Sequence, residues 1–238
     1  MNFSLQLWSV RDDISKDFFG TLESLAEMGY KGVEFAGYGD IPAAEMKAKL
    51  DELGLKATGS HIQFDRFRDN LQEEIEYNKT VGNEYLICPY GATETRAQVD
   101  EIVEVLQNAA IEAKKHGMKV GYHNHAHEFE TIDGEYALDL IAAGAPDIIL
   151  ELDIFWVVKA GLDPIEYIEK CGSRAEIIHL KQIGADKEQC DIPDGETDMF
   201  EIISAAKFAK FFVIEQETET PPPMESAHRN LEFMKKNG

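Results

Sequence analysis

Met28-Gly29-Tyr30-Lys31-Gly32-Val33 joins the end of a helical pattern to the start of an apolar run. The same junction recurs as Leu53-Gly54-Leu55-Lys56-Ala57 and as His116-Gly117-Met118-Lys119-Val120. Glycine suits the left-handed backbone position just past a helix C-terminus, and a strand that begins soon afterwards is the usual short connection. The chain therefore alternates helices and strands, which predicts parallel strands joined by helical crossovers.

Eight apolar runs are strand candidates, near residues 3–8, 31–36, 55–61, 84–88, 118–124, 148–153, 176–181 and 211–216. Helical patterns cover residues 15–28, 42–53, 65–81, 95–116, 135–144, 163–171 and 223–236, and a further short helix is expected around residues 198–207. The alternative is an open doubly wound sheet, but no GxGxxG or Walker pattern follows the first strand. We expect an α/β fold, a (β/α)8 TIM barrel that occupies residues 1–238 as a single domain.

Charge and cysteine content narrow the functional classes. The net charge of −22 and the scattered basic residues argue against nucleic-acid binding, and hence against phosphodiester hydrolysis on DNA. Cys88, Cys171 and Cys190 are odd in number and form no CxxC pair, so we expect reduced thiols in a cytoplasmic protein. Neither a signal-peptide pattern nor a membrane-length apolar stretch is visible, so no membrane partner is expected. The sequence is compatible with a homo-oligomer but gives no direct evidence for one.

Polar side chains recur where the predicted strands end. Alternate residues of a barrel strand point inward, and active sites of barrels lie at the C-terminal ends of the strands. In strand order, these residues are Gln6 and Trp8, Glu34, His61, His123 and His125, Glu151 and Asp153, His179 and Lys181, and Glu215 and Glu217. Burying such groups without partners would cost several kcal/mol each, so we expect them to share one polar site at the barrel mouth.

This site combines Asp153, His179 and Glu215 with a group on strand five, formed by His123, His125 and Glu128. Mixed carboxylate and imidazole ligands around an open position suit one divalent metal ion, either Mn, Mg, Co or Zn. A metal that polarises a carbonyl beside a carboxylate base is suited to proton abstraction next to that carbonyl. Glu151 is expected to be a buried hydrogen-bonding residue beneath the site rather than a ligand.

Several motifs resemble the sugar-phosphate isomerase/epimerase-like proteins of the xylose-isomerase-like barrels. They are QLWSVRDD from Gln6, YHNHAHEF from Tyr122, ELDIFWVVKAGLDP from Glu151, HLKQ from His179 and VIEQE from Val213. Relatives of this family include tagatose epimerases, inosose dehydratases and apurinic endonucleases. The resemblance implies that Asp153, His179 and Glu215 are metal ligands, that Glu215 also moves a proton, and that Trp156 and Lys181 line the substrate pocket.

Strand five departs from the epimerase pattern, because those enzymes have a metal-binding glutamate where this chain has His123. Either His123 takes that ligand position, or Glu128 reaches back from the following loop. The preference of hard cations for oxygen favours Glu128. A histidine here also leaves room for a dehydratase, in which it would act as an acid on a leaving hydroxyl. A second departure is Gln182, where the family usually has aspartate.

The leading hypothesis is a metal-dependent isomerase or epimerase acting on a sugar, keto-sugar or cyclitol. Glu215 would move the proton on one face of the substrate, with Glu128 or His125 opposite. The substrate would be held by Trp8, His61, His123, His125, Trp156 and Lys181. The alternatives are a dehydratase or lyase acting on a keto-sugar or inosose, and a sugar-binding barrel without catalysis. A neutral substrate is expected, because the loops after strands seven and eight carry Lys187 and little other positive charge. The acidic run Glu73-Glu74-Ile75-Glu76 is expected to be a solvated helix face.

Overall fold

The computed structural model describes residues 2–237. Eight parallel strands close into a barrel, as the sequence predicts. The barrel strands are β1 (Phe3–Gln6), β2 (Gly32–Phe35), β3 (Lys56–His61), β4 (Tyr85–Cys88), β5 (Lys119–His123), β8 (Ile149–Asp153), β9 (Ala175–Leu180) and β12 (Phe211–Ile214). Neighbours in the barrel follow the order β1-β12-β9-β8-β5-β4-β3-β2. Two short antiparallel hairpins lie in loops, and they are β6 (Thr131–Ile132) with β7 (Glu135–Tyr136) and β10 (Gln182–Ile183) with β11 (Gln189–Cys190).

The helices of the described residues surround the barrel. They are α1 (Arg11–Lys16), α2 (Phe18–Met28), α3 (Ala43–Leu53), α4 (Phe64–Asp69), α5 (Leu71–Val81), α6 (Arg96–Lys114), α7 (Ala137–Gly144), α8 (Ile154–Lys159), α9 (Pro164–Cys171), α10 (Met199–Ala205) and α11 (Pro223–Asn237). Gly29 and Gly54 adopt φ values of 103° and 67° directly after α2 and α3. These left-handed conformations end the helices as the recurring junction predicts.

Three helical segments differ from the sequence prediction. The pattern over 15–28 divides at Asp17, whose extended backbone ends α1 and whose side chain accepts from Gly20 N to cap α2. The pattern over 65–81 divides at Asn70, between α4 and α5. Helix α8 was not predicted, because its apolar residues follow β8 without a break. Asp153 begins it by accepting a hydrogen bond from Trp156 N.

The barrel interior divides into an apolar lower half and a polar mouth. A buried cluster fills the lower half, formed by Tyr85, Ile87, Ile149, Ile177 and Val213. Along β9, Ile177 and His179 have the same phase, so the inward row changes from apolar to ionisable toward the C-terminal end. A larger core lies between the strands and the surrounding helices. The strand phase of β9 therefore places His179 at the mouth, above the apolar cluster.

Gln182 anchors the loop that follows β9. Its side-chain amide donates to the carbonyls of Ile192 and Thr197, and its oxygen accepts from Thr197 N. A side chain at Gly195 would collide with Gln182, so this packing requires glycine. Gln182, where the family usually has aspartate, thus holds the loop after β9 through these hydrogen bonds. In residues 2–237, no helix is both long enough and apolar enough to cross a membrane.

Candidate metal centre

Four buried side chains converge at the barrel mouth. His123 and Asp153 are the last residues of β5 and β8, His179 lies near the end of β9, and Glu215 directly follows β12. Each offers one nitrogen or oxygen atom, and these atoms all lie within 4.8 Å of one another. The structure thus joins the three ligands implied by the resemblance, with His123 as the fourth group. We call these four residues the mouth cluster.

Both histidines of the mouth cluster rest on a carboxylate from a deeper layer. His123 Nδ1 lies 3.0 Å from Glu151 Oε2, and His179 Nε2 lies 2.6 Å from Glu34 Oε2. The second nitrogen of each ring faces the cluster, since His123 Nε2 is 3.9 Å from Asp153 Oδ2 and His179 Nδ1 is 2.7 Å from Glu215 Oε2. Metal-ligating histidines commonly have this arrangement, because the backing carboxylate fixes the tautomer and ring orientation.

One oxygen of the mouth cluster lacks a partner. Asp153 Oδ1 accepts from Trp156 N at 3.3 Å, but Oδ2 is buried and has no hydrogen bond to any described residue. An unpaired buried carboxylate oxygen is costly, and buried charges are normally paired or bound to metals. Two imidazole nitrogens and two carboxylate oxygens form a donor set that suits a divalent ion. The residues present therefore fit the expected metal.

The charges of the cluster are strongly coupled. Burial raises the pKa of the Asp153 carboxyl to about 7, although the Lys181 ammonium opposes this shift. Burial also favours the neutral form of Glu215, yet Lys181 and His179 hold the pKa of this carboxyl well below its usual range. Glu215 is consequently an ionised carboxylate, whereas Asp153 titrates near neutrality.

Lys181 supplies a buried positive charge at the edge of the cluster. Its Nζ donates to Glu217 Oε1 at 2.8 Å and lies 3.6 Å from Glu215 Oε1 and 3.8 Å from Asp153 Oδ2. The side chain is 1 % exposed, so the ammonium is separated from bulk water. Nζ also lies 5.3 Å from the ring centroid of Trp156, which places both predicted substrate-binding residues side by side.

Glu151 lies beneath the mouth cluster, as the sequence analysis expected. Its Oε2 contacts His123, His61 Nε2 at 2.7 Å and His179 Nε2 at 3.2 Å. Burial opposes ionisation, but the neighbouring His179 and His61 hold the pKa of the Glu151 carboxyl well below its usual range. A single ionised carboxylate thus orients three imidazole rings. Glu34 belongs to the same layer; the sequence analysis placed it among the polar residues of the mouth but gave it no role.

Glu128 does not join the mouth cluster. It groups instead with His125 and His127, and both of its oxygens are engaged. Oε1 accepts from Tyr122 Oη at 2.8 Å, and Oε2 accepts from His125 N at 2.7 Å. Tyr122 and the short turn at His127–Phe129 therefore direct Glu128 toward the backbone of its own loop. The preference for Glu128 over His123 as the fourth group does not match this geometry.

His125 lies between this loop and the pocket. Its Nδ1 is buried without a hydrogen-bond partner in the described part of the chain, and its ring centroid is 5.3 Å from that of Trp156. Burial, with the nearby charges of His123 and Lys181, lowers the pKa of His125 to about 2. The imidazole is therefore neutral near pH 7 and keeps one nitrogen free for a ligand.

A cavity of about 880 Å³ opens above the mouth cluster. His61, His123, His125 and Glu215 line it, so these four of the predicted substrate-binding and catalytic residues meet in one pocket, whereas Glu128 does not line it. Trp8 and Tyr90 stand at its rim, 47 % and 53 % exposed. Tyr90 was missed by the sequence analysis, although an aromatic residue just after β4 was a usable signal. Trp156 and Lys181 lie behind the cluster and do not line this cavity.

Comparisons with known proteins agree with the barrel fold. The sequence profile of the xylose isomerase-like TIM barrel family matches residues 22–237. The inosose dehydratase of Geobacillus kaustophilus (strain HTA426) is 25% identical over 194 residues, which are 69% of this chain and 62% of that relative. This chain therefore spans less than two thirds of the relative's length.

Two solved structures share the fold. A sugar phosphate isomerase/epimerase from Parabacteroides distasonis ATCC 8503 superposes with a TM-score of 0.86 at 21% identity, covering 99% of this chain and 94% of the other. The IolI protein with a bound zinc atom superposes with a TM-score of 0.79 at 15% identity, covering 99% of this chain and 97% of the other. At these identities both comparisons support the barrel architecture alone.

Proposed function

Because the chain belongs to the xylose isomerase-like TIM barrel family, we propose that it is a divalent-metal-dependent isomerase or epimerase of a sugar or keto-sugar. The reaction would proceed by proton abstraction next to a carbonyl. The main observation that supports this proposal is the mouth cluster. In it the ionised carboxylate of Glu215 lies both among potential metal ligands and on the cavity wall. The fold alone would not support this proposal, since barrels of one fold catalyse many reactions.

The proposed metal ligands are His123, Asp153, His179 and Glu215. Three observations support this set: the converging atoms, the unpaired Asp153 Oδ2, and the carboxylates that back both histidines. The zinc in the IolI structure supports the choice of a divalent ion, although it belongs to that protein. When bound, such an ion would polarise a substrate carbonyl and make the neighbouring C–H more acidic.

Glu215 is the proposed base. Its carboxylate is held ionised by Lys181 and His179, and it lines the cavity where a substrate carbon would lie. A proton accepted by Glu215 would be returned to the neighbouring carbon in an isomerase, whereas in an epimerase it would pass to solvent and the proton added on the other face would come from water. His125 is the proposed partner, because it lines the cavity and its neutral ring can donate a hydrogen bond to an oxygen on which charge develops. Glu128 would act on this step only by positioning the His125 backbone.

A dehydratase or lyase acting on a keto-sugar or inosose is the second candidate. The observation that favours it is His123, an imidazole at the cluster position where the epimerase pattern has a glutamate. The mouth cluster then offers the carboxylates of Glu215 and Asp153 without the second glutamate of the epimerase pattern, and the neutral imidazole of His125, on the cavity wall, can donate a hydrogen bond to a departing hydroxyl. The 25% identity to an inosose dehydratase points the same way. Both candidates begin with the same abstraction of a proton by Glu215.

Solvent exchange tests the shared first step. The metal-loaded protein would be incubated in D2O with a panel of keto-sugars and inososes, and deuterium incorporation would be followed by NMR. Glu215→Gln should reduce incorporation by about 10²-fold or more, while the exposed Glu219→Gln variant should match the wild type. Undiminished exchange in a folded Glu215→Gln protein would overturn the mechanism. Absence of both metal uptake and exchange would favour a sugar-binding barrel, whereas loss of water from the product would identify a dehydratase.

A further inference from the structure

The cavity continues well beyond the metal centre. Its far part lies over the loops after β2 and β3 and against α5, and we call it the side chamber. The residues that define it are Tyr38, Ile41, Pro42, Gln63, Arg66 and Tyr77. The described residues of β8 and β9 contribute nothing to the cavity lining. A ligand that extends from the mouth cluster is therefore directed to one side of the barrel.

Aromatic faces form the wall of the side chamber. The rings of Tyr38 and Tyr77 stack with centroids 3.9 Å apart and an interplanar angle of 21°. Tyr77 Oη donates to Ile41 O at 3.0 Å, which fastens the loop after β2 to α5. Tyr38 Oη accepts from Asn78 Nδ2 at 2.8 Å. These bonds hold the wall in place without a ligand, and a preformed pocket loses less entropy on binding.

A polar edge lies next to this wall. Glu74 is 4 % exposed, so the expectation that the acidic run is a solvated helix face is wrong at this position. Its carboxylate accepts from Tyr38 Oη at 2.9 Å and from Arg66 Nε. Arg66 Nη2 also donates to Glu73, but the guanidinium remains about half-exposed at the chamber rim. Arg66 therefore has N–H groups available for a polar substituent of a ligand.

We propose that the side chamber binds a second ring of the substrate, joined by a glycosidic bond to the sugar that lies at the mouth cluster. This inference rests on the proposed function and specifies its substrate class. The cavity of about 880 Å³ lies in the range of roughly 300–1,000 Å³ that holds drug-sized ligands, so a lone monosaccharide would fill only part of it. Flat apolar walls with a polar edge suit the face and rim of a ring.

The chemistry of such a substrate follows from its linkage. The proposed link is at the anomeric carbon of the sugar in the mouth cluster, so that sugar cannot open to its free carbonyl form, because this carbon is held as an acetal. Proton abstraction next to a carbonyl then requires a ketone on the sugar ring itself. The substrate class is accordingly a ring-oxidised glycoside, and the reaction that supplies it must be the oxidation of a ring hydroxyl.

Calorimetry on the metal-loaded protein tests the chamber. The probes are phenyl and methyl β-glycosides of glucose, galactose and xylose in which one ring hydroxyl is oxidised to a ketone, and the members of each pair differ only in the second ring. Gln63→Trp is designed to fill the chamber, because Gln63 lines it and is exposed. Asp65→Trp is the matched control, because Asp65 is exposed two residues further along, in α4, but lies outside the lining. We expect phenyl glycosides to bind at least about tenfold more tightly than methyl glycosides, with the preference lost in Gln63→Trp and kept in Asp65→Trp.

Three results would overturn the proposal that the side chamber binds a second ring. They are equal affinity for phenyl and methyl glycosides, absence of binding by every glycoside, and a preference for phenyl glycosides that survives in Gln63→Trp. These results are independent of deuterium exchange with free keto-sugars, which tests the proposed function. Deuterium exchange with free keto-sugars, but equal affinity for phenyl and methyl glycosides, would contradict only the proposal that the side chamber binds a second ring. Tighter binding of phenyl glycosides without deuterium exchange would support the side chamber as a binding site and contradict the proposed catalysis.

Discussion

His123 places Nδ1 3.0 Å from Oε2 of Glu151, and this contact turns its other ring nitrogen toward the mouth cluster. The carboxylate is completely buried and also contacts His61 and His179. Ring orientation in the cluster thus depends on a residue that does not face the cavity.

Replacing this carboxylate should weaken metal binding. Glu151→Gln keeps the size of the side chain but removes the charge that orients His123, so we expect the metal Kd to rise about 10- to 100-fold. Titration of the metal-free protein with Zn²⁺ or Mn²⁺ measures the change. Glu176→Gln is a control, since Glu176 is a buried strand carboxylate that pairs with Lys119 away from the mouth. An unchanged Kd in Glu151→Gln would show that ring orientation does not need the charge.

The fourth ligand can be assigned by a pair of variants. His123→Ala removes the proposed ligand, so we expect the bound metal to fall from stoichiometric to below half at equal metal concentration. Glu128→Gln preserves the acceptor for His125 N and should retain stoichiometric metal. Elemental analysis of both proteins after dialysis is the measurement. The reverse pattern would assign Glu128 as the ligand and would require a rearranged loop after β5.

The barrel could be predicted because its signals are local. Glycine junctions such as the one at Gly29 mark helix ends, and each strand candidate starts within one residue of an observed barrel strand. Helix α8 was not predicted from the sequence because an uninterrupted apolar run after Asp153 resembles a longer strand. Its start depends on a side-chain cap, Asp153 to Trp156 N, which periodicity does not reveal.

The site could be predicted only in part, for a geometric reason. Strand phase brings Asp153, His179 and Glu215 together because strand ends in a closed barrel share one mouth. Phase gives no information on Glu128, whose direction is set by a turn and by Tyr122. The side chamber was likewise out of reach, because it depends on how two loops fold against α5.

Metal affinity should depend on pH because protons compete for the same atoms. The pKa of Asp153 is raised to about 7 by burial, and Glu151 and Glu34 hold the pKa of His179 well above its usual range despite burial. Both groups must lose a proton to act as ligands, so affinity should fall as the pH is lowered from about 7 to 5.5. For each proton that the metal displaces, the metal Kd should rise about tenfold per pH unit. Calorimetry in buffers of different ionisation enthalpy counts those protons, and binding without proton release would contradict the proposed ligand set.

Gly59 should be sensitive to the smallest side chain because Glu34 occupies the space beside it. A Cβ at Gly59 would lie 3.0 Å from Glu34 Cδ and closer still to Oε1. Glu34 cannot yield freely, since its Oε2 accepts from Gln6 Nε2 at 2.9 Å and contacts His179. We expect Gly59→Ala to lower the free energy of unfolding by about 1–3 kcal/mol, as overpacking of a core does.

Chemical denaturation measures this loss of stability, and a double-mutant cycle with Glu34 shows whether the contact causes it. In a Glu34→Ala background the obstructing atoms are gone, so Gly59→Ala should cost much less. An equal cost in both backgrounds would place the strain in the backbone of β3 rather than in the contact with Glu34.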